Sequence, residues 1–308
     1  MSAPHVVVTG GAGFIGRWVV RALVERGVAV TAFDLGERPA ELPAAATYRR
    51  GSVEDGAAVD RVLDGARAVC HLAFRMDLYG DDPLASARTN VVGTTQVMDS
   101  ALRSGARRVV WGSSIMVYGP RSAYPAGPIT EAAEPMPRTV YGATKLALEW
   151  TARAYRAKGL ETVGLRLTTV FGPGRDRPGA APFAVSLFQA AAARRPLTLE
   201  HGDRRAAMLY ARDAAQACVK ALLAGPGLDE IYNVNGFETS VRDLVRAVGV
   251  ARPGVALRVE DGGESPWPTA IDCAAAARDF GYRPEYDRDR AAEDYIAHLE
   301  GRNPARSP

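Results

Sequence analysis

Tyr141 and Lys145 stand four residues apart in the run Tyr-Gly-Ala-Thr-Lys, in a chain that takes almost all its positive charge from Arg. Of 38 Lys and Arg residues only those at 145, 158 and 220 are Lys, so composition alone does not supply a Lys at this spacing. On a helix, residues i and i+4 share a face, so both side chains can enter one site. A nearby ammonium stabilises phenolate and lowers the Tyr pKa toward the range useful for general acid–base work. Arg would serve less well, being bulkier and presenting a planar fork rather than a point charge. The plain alternative is a surface helix turn that happens to carry the pair.

The N-terminus bears on that choice. Residues 5–16 read His-Val-Val-Val-Thr-Gly-Gly-Ala-Gly-Phe-Ile-Gly: a β-branched run suited to a buried parallel strand, then Gly10, Gly13 and Gly16. An apolar-periodic segment through Trp18, Val19, Ala22 and Leu23 follows, so the order is strand, glycine turn, helix. Such glycines permit a tight turn and let backbone N–H groups approach a pyrophosphate at the helix N-terminus. The spacing is Gly-x-x-Gly-x-x-Gly rather than the usual Gly-x-Gly-x-x-Gly. A second strand, 28–33, ends in Asp34, about 20 positions past the glycines, where a carboxylate can accept bonds from both adenosine ribose hydroxyls. It would repel a 2′-phosphate, which favours NAD over NADP; Arg38 nearby keeps NADP open.

Composition excludes several classes. A formal charge of +3 over 308 residues gives no footprint for nucleic acid or a membrane surface. No apolar run approaches a membrane span, and the chain opens directly into a strand, so no signal peptide is expected. Cys70, Cys218 and Cys273 are odd in number and scattered, as are the four His residues, which suggests neither a disulfide framework nor a zinc site. The expectation is a cytoplasmic, metal-free protein.

Further strands are expected near 47–50, 67–71, 107–111 and 160–167, with helices near 55–64, 83–104 and 139–157. That alternation predicts an α/β fold: a Rossmann-type, doubly wound parallel sheet, with a smaller C-terminal α/β substrate lobe. Pro120, Pro125, Pro128, Pro135 and Pro137 rule out regular structure over 119–138, and so long a loop reads as a substrate-site wall. Residues 1–170 form the expected dinucleotide domain, to which a strand near 231–234 returns. Residues 171–230 and 236–301 form the second lobe, and 302–308 a frayed tail.

Five ordered motifs now resemble a known family. They are Thr9–Gly16, His71-Leu72-Ala73, Asn90-Val91-Val92-Gly93-Thr94, Ser113-Ser114-Ile115-Met116-Val117-Tyr118-Gly119, and Tyr141 to Lys145. Together, from about residue 5 to 299, the chain resembles the extended short-chain dehydrogenase/reductases, the group holding sugar-nucleotide epimerases and dehydratases. Arg166 and Phe171-Gly172-Pro173 are also in register. The resemblance implies that Tyr141 takes a proton from a substrate carbinol as hydride leaves the same carbon. Lys145 would assist it and bond the nicotinamide ribose, and Ser114 would hold the reacting oxygen; capping the strand end is the alternative for Ser114. Around the cofactor it places Phe14 and Ile15 with the glycines and Asp34, Ser52 and Val53 near the adenine, and Leu72, Ala73 and Phe74 beneath. Asn90 joins that set in a structural or water-binding role. It further implies a sugar-like small-molecule substrate, and a homodimer through the helices around 88–103 and 141–157.

Departures from the pattern narrow the chemistry. Ser52 replaces an Asp near the adenine, leaving contact there to the backbone around Val53. Ile115 and Met116 stand where the dehydratases carry Asp-Glu, which argues against water elimination by their mechanism. Thr169 replaces an Asn near the diphosphate, and the stretch 204–210 lacks the usual Arg-Asp-Phe. Arg204, Arg205, Arg175 or Arg177 could substitute, or be solvated surface. The leading reading is an NAD-dependent epimerase of a sugar or sugar-nucleotide. The alternatives are a net dehydrogenase or ketoreductase on a smaller sugar, polyol or natural product, and a non-catalytic dinucleotide sensor.

Overall fold

Val6, Val7 and Val8 are at most 1% exposed, and they feed two different cores. Val6 and Val8 pack with Trp18, Val19 and Leu23, whereas Val7 packs with Val59, Leu63 and Val97. Such alternation requires a strand covered on both faces. The computed structural model describes residues 5–175, 182–265 and 267–301; Arg177 and the tail 302–308 lie outside them.

From β1 (His5–Thr9) the chain enters α1 (Gly16–Val24), β2 (Ala29–Asp34), β3 (Thr47–Arg50), α2 (Gly56–Leu63) and β4 (Ala68–His71). The single helix expected over 83–104 is three pieces: α3 (Pro83–Ala87), a π turn (Arg88–Gly93) and α4 (Thr94–Arg103). Then come β5 (Arg108–Ser114), α5 (Val140–Arg156) and β6 (Glu161–Leu167). The proline-rich stretch is not wholly irregular, since Arg121–Ala123 forms a 3-10 turn and Ile129 bridges to Ile271. A proline at the position before a tight turn preorganises it rather than forbidding it.

Beyond β6 run β7 (Thr169–Phe171), α6 (Pro182–Ala192), β8 (Leu197–Leu199), β9 (Arg205–Tyr210), α7 (Ala211–Leu223) and β10 (Ile231–Val234). The remainder is β11 (Phe237–Ser240), α8 (Val241–Ala251), β12 (Leu257–Val259), α9 (Ala274–Phe280) and α10 (Arg288–Leu299). The seven-stranded sheet has the order β10-β6-β5-β4-β1-β2-β3, every pair parallel. This is the Rossmann-type α/β architecture. Its switch point lies between β1 and β4, where a crevice opens beyond the strand ends. The smaller sheet β11-β9-β7 and the pair β12-β8 share a separate core with the helices around them, in which the Phe188 and Tyr295 rings stack 4.4 Å apart. Among the described residues no helix is long and apolar enough to cross a membrane.

Candidate active site

The first turn of α5 is fixed from two sides. The Thr139 hydroxyl caps it, accepting the Gly142 N–H at 3.0 Å. A Cβ on Gly142 would stand 2.1 Å from the Met116 carbonyl oxygen, so the helix lies directly on the turn Ile115–Val117 that follows β5. Because β5 runs on to Ser114, past the expected residue 111, its last hydroxyl meets the tyrosine. Ser114 Oγ accepts the Met116 N–H at 3.1 Å, and its hydroxyl is near enough to the Tyr141 hydroxyl to act on its ionisation.

Burial pushes Tyr141 up to about 12, against which the Ser114 hydroxyl and the positive charge of Arg175 both act. Burial lowers Lys145 to about 7, with the Glu149 carboxylate one turn on holding it up. The Lys145 ammonium donates to the Gly112 carbonyl. It lies 3.3 Å from the centroid of the Phe74 ring but 5.6 Å from that of Tyr141. The strand carbonyl and the Phe74 face hold the ammonium on the side away from the Tyr141 ring.

These groups open onto a cavity of about 610 Å³ that also takes in Gly10, Gly13, Phe14, Ile15, Gly16, Asp34, Ser52, Val53, Leu72 and Ala73. Its glycine wall admits no side chain. Gly10 has φ +68, and a Cβ there would lie 2.6 Å from the Ala73 nitrogen, while one on Gly16 would lie 2.0 Å from the Gly10 oxygen. Asp34 accepts the Ala12 N–H at 2.9 Å and the Leu35 N–H at 2.8 Å, and a carboxylate retains further lone pairs for ribose hydroxyls. Arg38 is tied to the Ala46 and Pro43 carbonyls at 2.9 and 2.7 Å, so it is committed away from a 2′-phosphate. Ser52 Oγ accepts the Glu54 N–H at 3.0 Å, which shapes the turn presenting Val53. A backbone cradle at a helix start, an acidic ribose clamp and an apolar floor fit a dinucleotide.

Asn90 requires correction as a cofactor contact. It is buried away from the cavity, its amide accepting the Arg75 N–H at 2.7 Å and donating to the Arg75 carbonyl at 2.9 Å. It therefore clamps the segment after β4, the structural role left open for it. His71 has a part the motif did not reveal. Its ring nitrogens lie 2.7 Å from Thr9 Oγ1 and 2.9 Å from Thr94 Oγ1, and burial, with the Lys145 charge, lowers it to about 3. A neutral imidazole thus pins the end of β4 to β1 and α4.

At the far end the cavity meets Arg175, Phe183, Arg204, Arg205 and Trp267. Arg175 donates to the Val170 carbonyl at 2.6 Å and lies over the Phe14 ring. Arg205 is paired with Glu238; Arg204 has no ion pair among the described residues. Phe183 and Trp267 carried no motif by which the sequence could have pointed to them.

The pattern of the NAD dependent epimerase/dehydratase family matches residues 6–235, and the chain belongs to that family. It is an enzyme, and its cofactor is NAD. It is 34% identical to a UDP-glucose 4-epimerase of Azospirillum brasilense, over 93% of this chain and 89% of that protein. With a dTDP-glucose 4,6-dehydratase of Streptomyces antibioticus it shares 32%, over 92% and 88%. Among solved structures, the UDP-glucose 4-epimerase of Thermus thermophilus in complex with NAD superimposes with a TM-score of 0.83 at 26% identity, covering 96% and 99% of the two chains. An L-threonine dehydrogenase from Cupriavidus necator gives 0.85 at 27%, covering 96% and 100%.

Proposed function

We propose that the enzyme epimerises a sugar or sugar-nucleotide at a carbinol carbon through Ser114, Tyr141 and Lys145. The observation carrying this reading is that Ser114, Tyr141 and Lys145 line one cavity with the glycine cradle. When bound, NAD would supply the hydride acceptor and donor, the oxidised carbon being reduced again on its opposite face. Tyr141 takes the carbinol proton and gives it back, and Ser114 holds the oxygen as charge develops on it. Lys145 bonds the cofactor ribose and, when charged, favours the phenolate. Buried Ile115 and Met116 offer no acid–base pair for water elimination. Arg175 and Arg204 suit an anionic portion of the substrate, held in the lobe formed by 171–230 and 236–301 against a cofactor domain of 1–170.

The second reading, a net dehydrogenase on a smaller carbinol, is favoured by Thr169 and by the pairing of Arg205 with Glu238. Likeness to the threonine dehydrogenase fold supports it too. One experiment separates the two. Stoichiometric NAD retained by the purified protein, with interconversion of UDP- or dTDP-sugars, supports epimerisation. Cofactor-free protein that forms NADH from a simple carbinol overturns it. The exposed Val91, Val92 and Trp150 on the π turn and α5 support a homodimer through these helices, which sedimentation of the intact protein tests.

A further inference from the structure

We propose that Phe74 is a positioning residue for the Tyr141–Lys145 pair, its ring face seating the Lys145 ammonium and its edge-on contact fixing the Tyr141 ring. The proposal rests on reading those two residues as the acid–base pair. Its geometry is direct. The ammonium lies 3.3 Å from the Phe74 centroid, well within cation–π range. The Phe74 and Tyr141 rings meet at 86° with centroids 5.5 Å apart, the favourable edge-to-face arrangement. One side chain therefore touches both groups.

The surroundings leave the ring with that task. No carboxylate pairs directly with Lys145 among the described residues. Glu149, one turn along α5, is engaged by Arg166 and the Ser113 hydroxyl. From β4, His71 is neutral near pH 7 and adds no compensating charge. From β5 the ammonium receives the Gly112 carbonyl. Arg75, next to Phe74, faces Asp82. Beside the Gly112 carbonyl and the longer-range Glu149 charge, the electron-rich face of Phe74 is the surface in direct contact that favours the charged amine.

Nor is the ring on a loose loop. Asn90 holds both backbone groups of Arg75, and His71 anchors the strand three residues earlier. The ring position is thus inherited from two buried polar side chains.

The scarcity of Lys makes the test direct, because ¹³Cε-lysine labelling of the full-length protein gives three signals, with Lys145 assigned by Lys145→Met. In the wild type the Lys145 ε-protons are displaced upfield by the Phe74 ring current. Phe74→Leu keeps the site apolar but removes the ring; it should abolish that displacement and lower the Lys145 pKa by about half to one pH unit. Phe74→Tyr should restore both. Lys158, which lies over Tyr155, and Lys220 keep their signals if the fold is intact. An unchanged or raised Lys145 pKa in a folded Phe74→Leu overturns the proposal. If that variant does not fold, absence of the upfield displacement in the wild type overturns it instead. No substrate or turnover enters these readouts, so they fail or succeed separately from the proposed reaction.

Discussion

Arg166 and Glu149 form a doubly hydrogen-bonded ion pair in the interior, Arg166 Nε donating to Oε1 at 2.9 Å and Nη2 to Oε2 at 2.7 Å. The pair ties β6 to α5 one turn beyond Lys145. Around it the Ser113 hydroxyl donates to Glu149 at 2.6 Å, and Arg166 Nη1 donates to the Tyr118 hydroxyl at 2.7 Å. Tyr118 in turn lies 2.9 Å from Asn233 on β10. The helix carrying Tyr141 and Lys145, the strand carrying Ser114 and the edge strand are thus braced at one point. Removing one charge leaves the other buried, which costs about 3–5 kcal/mol. Glu149→Gln should lose stability of that order in urea unfolding, and should lower Lys145 further. A loss below about 1 kcal/mol, the range of an exposed pair, would show that the brace is weak.

Tyr141→Phe removes the proton acceptor while leaving the ring contact with Phe74. Turnover should fall by about 10²–10⁴-fold, with NAD affinity within a few-fold of the wild type. Substantial remaining turnover would move the chemistry to another residue. Loss of NAD binding together with activity would make Tyr141 a binding residue instead.

His71 gives the protein a defined acid sensitivity. Its pKa is lowered from 6.5 to about 3, so between those values the unfolded chain binds a proton that the folded one does not. Stability therefore rises with pH across that window and falls on acidification, by about 1.4 kcal/mol per pH unit at most. Lys145, lowered from 10.5 to about 7, acts with the same sign between pH 7 and 10.5, where stability again rises with pH. Urea unfolding at pH 4.5 and 7 should show a smaller difference in His71→Gln than in the wild type. Equal differences would remove His71 from the account.

On the proposed reading, Asp34 faces the adenosine ribose while Arg38 is tied to backbone carbonyls. The wild type should bind NAD at least about tenfold more tightly than NADP, since one uncompensated like-charge contact is worth more than about 1.4 kcal/mol. Asp34→Ser should narrow that ratio chiefly by weakening NAD. Titration of protein fluorescence with each dinucleotide measures it, and an unaltered ratio would assign the selectivity elsewhere.

What the sequence made legible was local. The strand, glycine turn and helix of residues 5–24 needed only β-branching, glycine and periodicity, and Tyr141 and Lys145 needed only helical spacing. Asp34 followed from its distance to the glycines. What stayed hidden depended on contacts between distant segments. The Phe74 face on Lys145 joins residues 71 positions apart, and the Arg175 charge reaches Tyr141 from beyond β7. The displacement of Asn90 from the cavity arises in a π turn, a local widening of the helix that periodicity does not encode. The walls contributed by Phe183 and Trp267 come from a lobe with no motif to mark them.

The edge strand β10 has a consequence for how the molecule is made. It pairs with β6 in register Ile231 to Gly164 through Val234 to Leu167, yet β7, α6, β8, β9 and α7 are synthesised in between. A chain emerging from the ribosome therefore completes six strands of the sheet and then waits, with the outer edge of β6, the one not paired with β5, open to other strands. Only when Asn233 arrives can it join Tyr118 and the buried Glu149–Arg166 pair. The seven-stranded sheet thus reaches its final form only after β7 through α7 have been translated, and it cannot be separated from them by cutting the chain once.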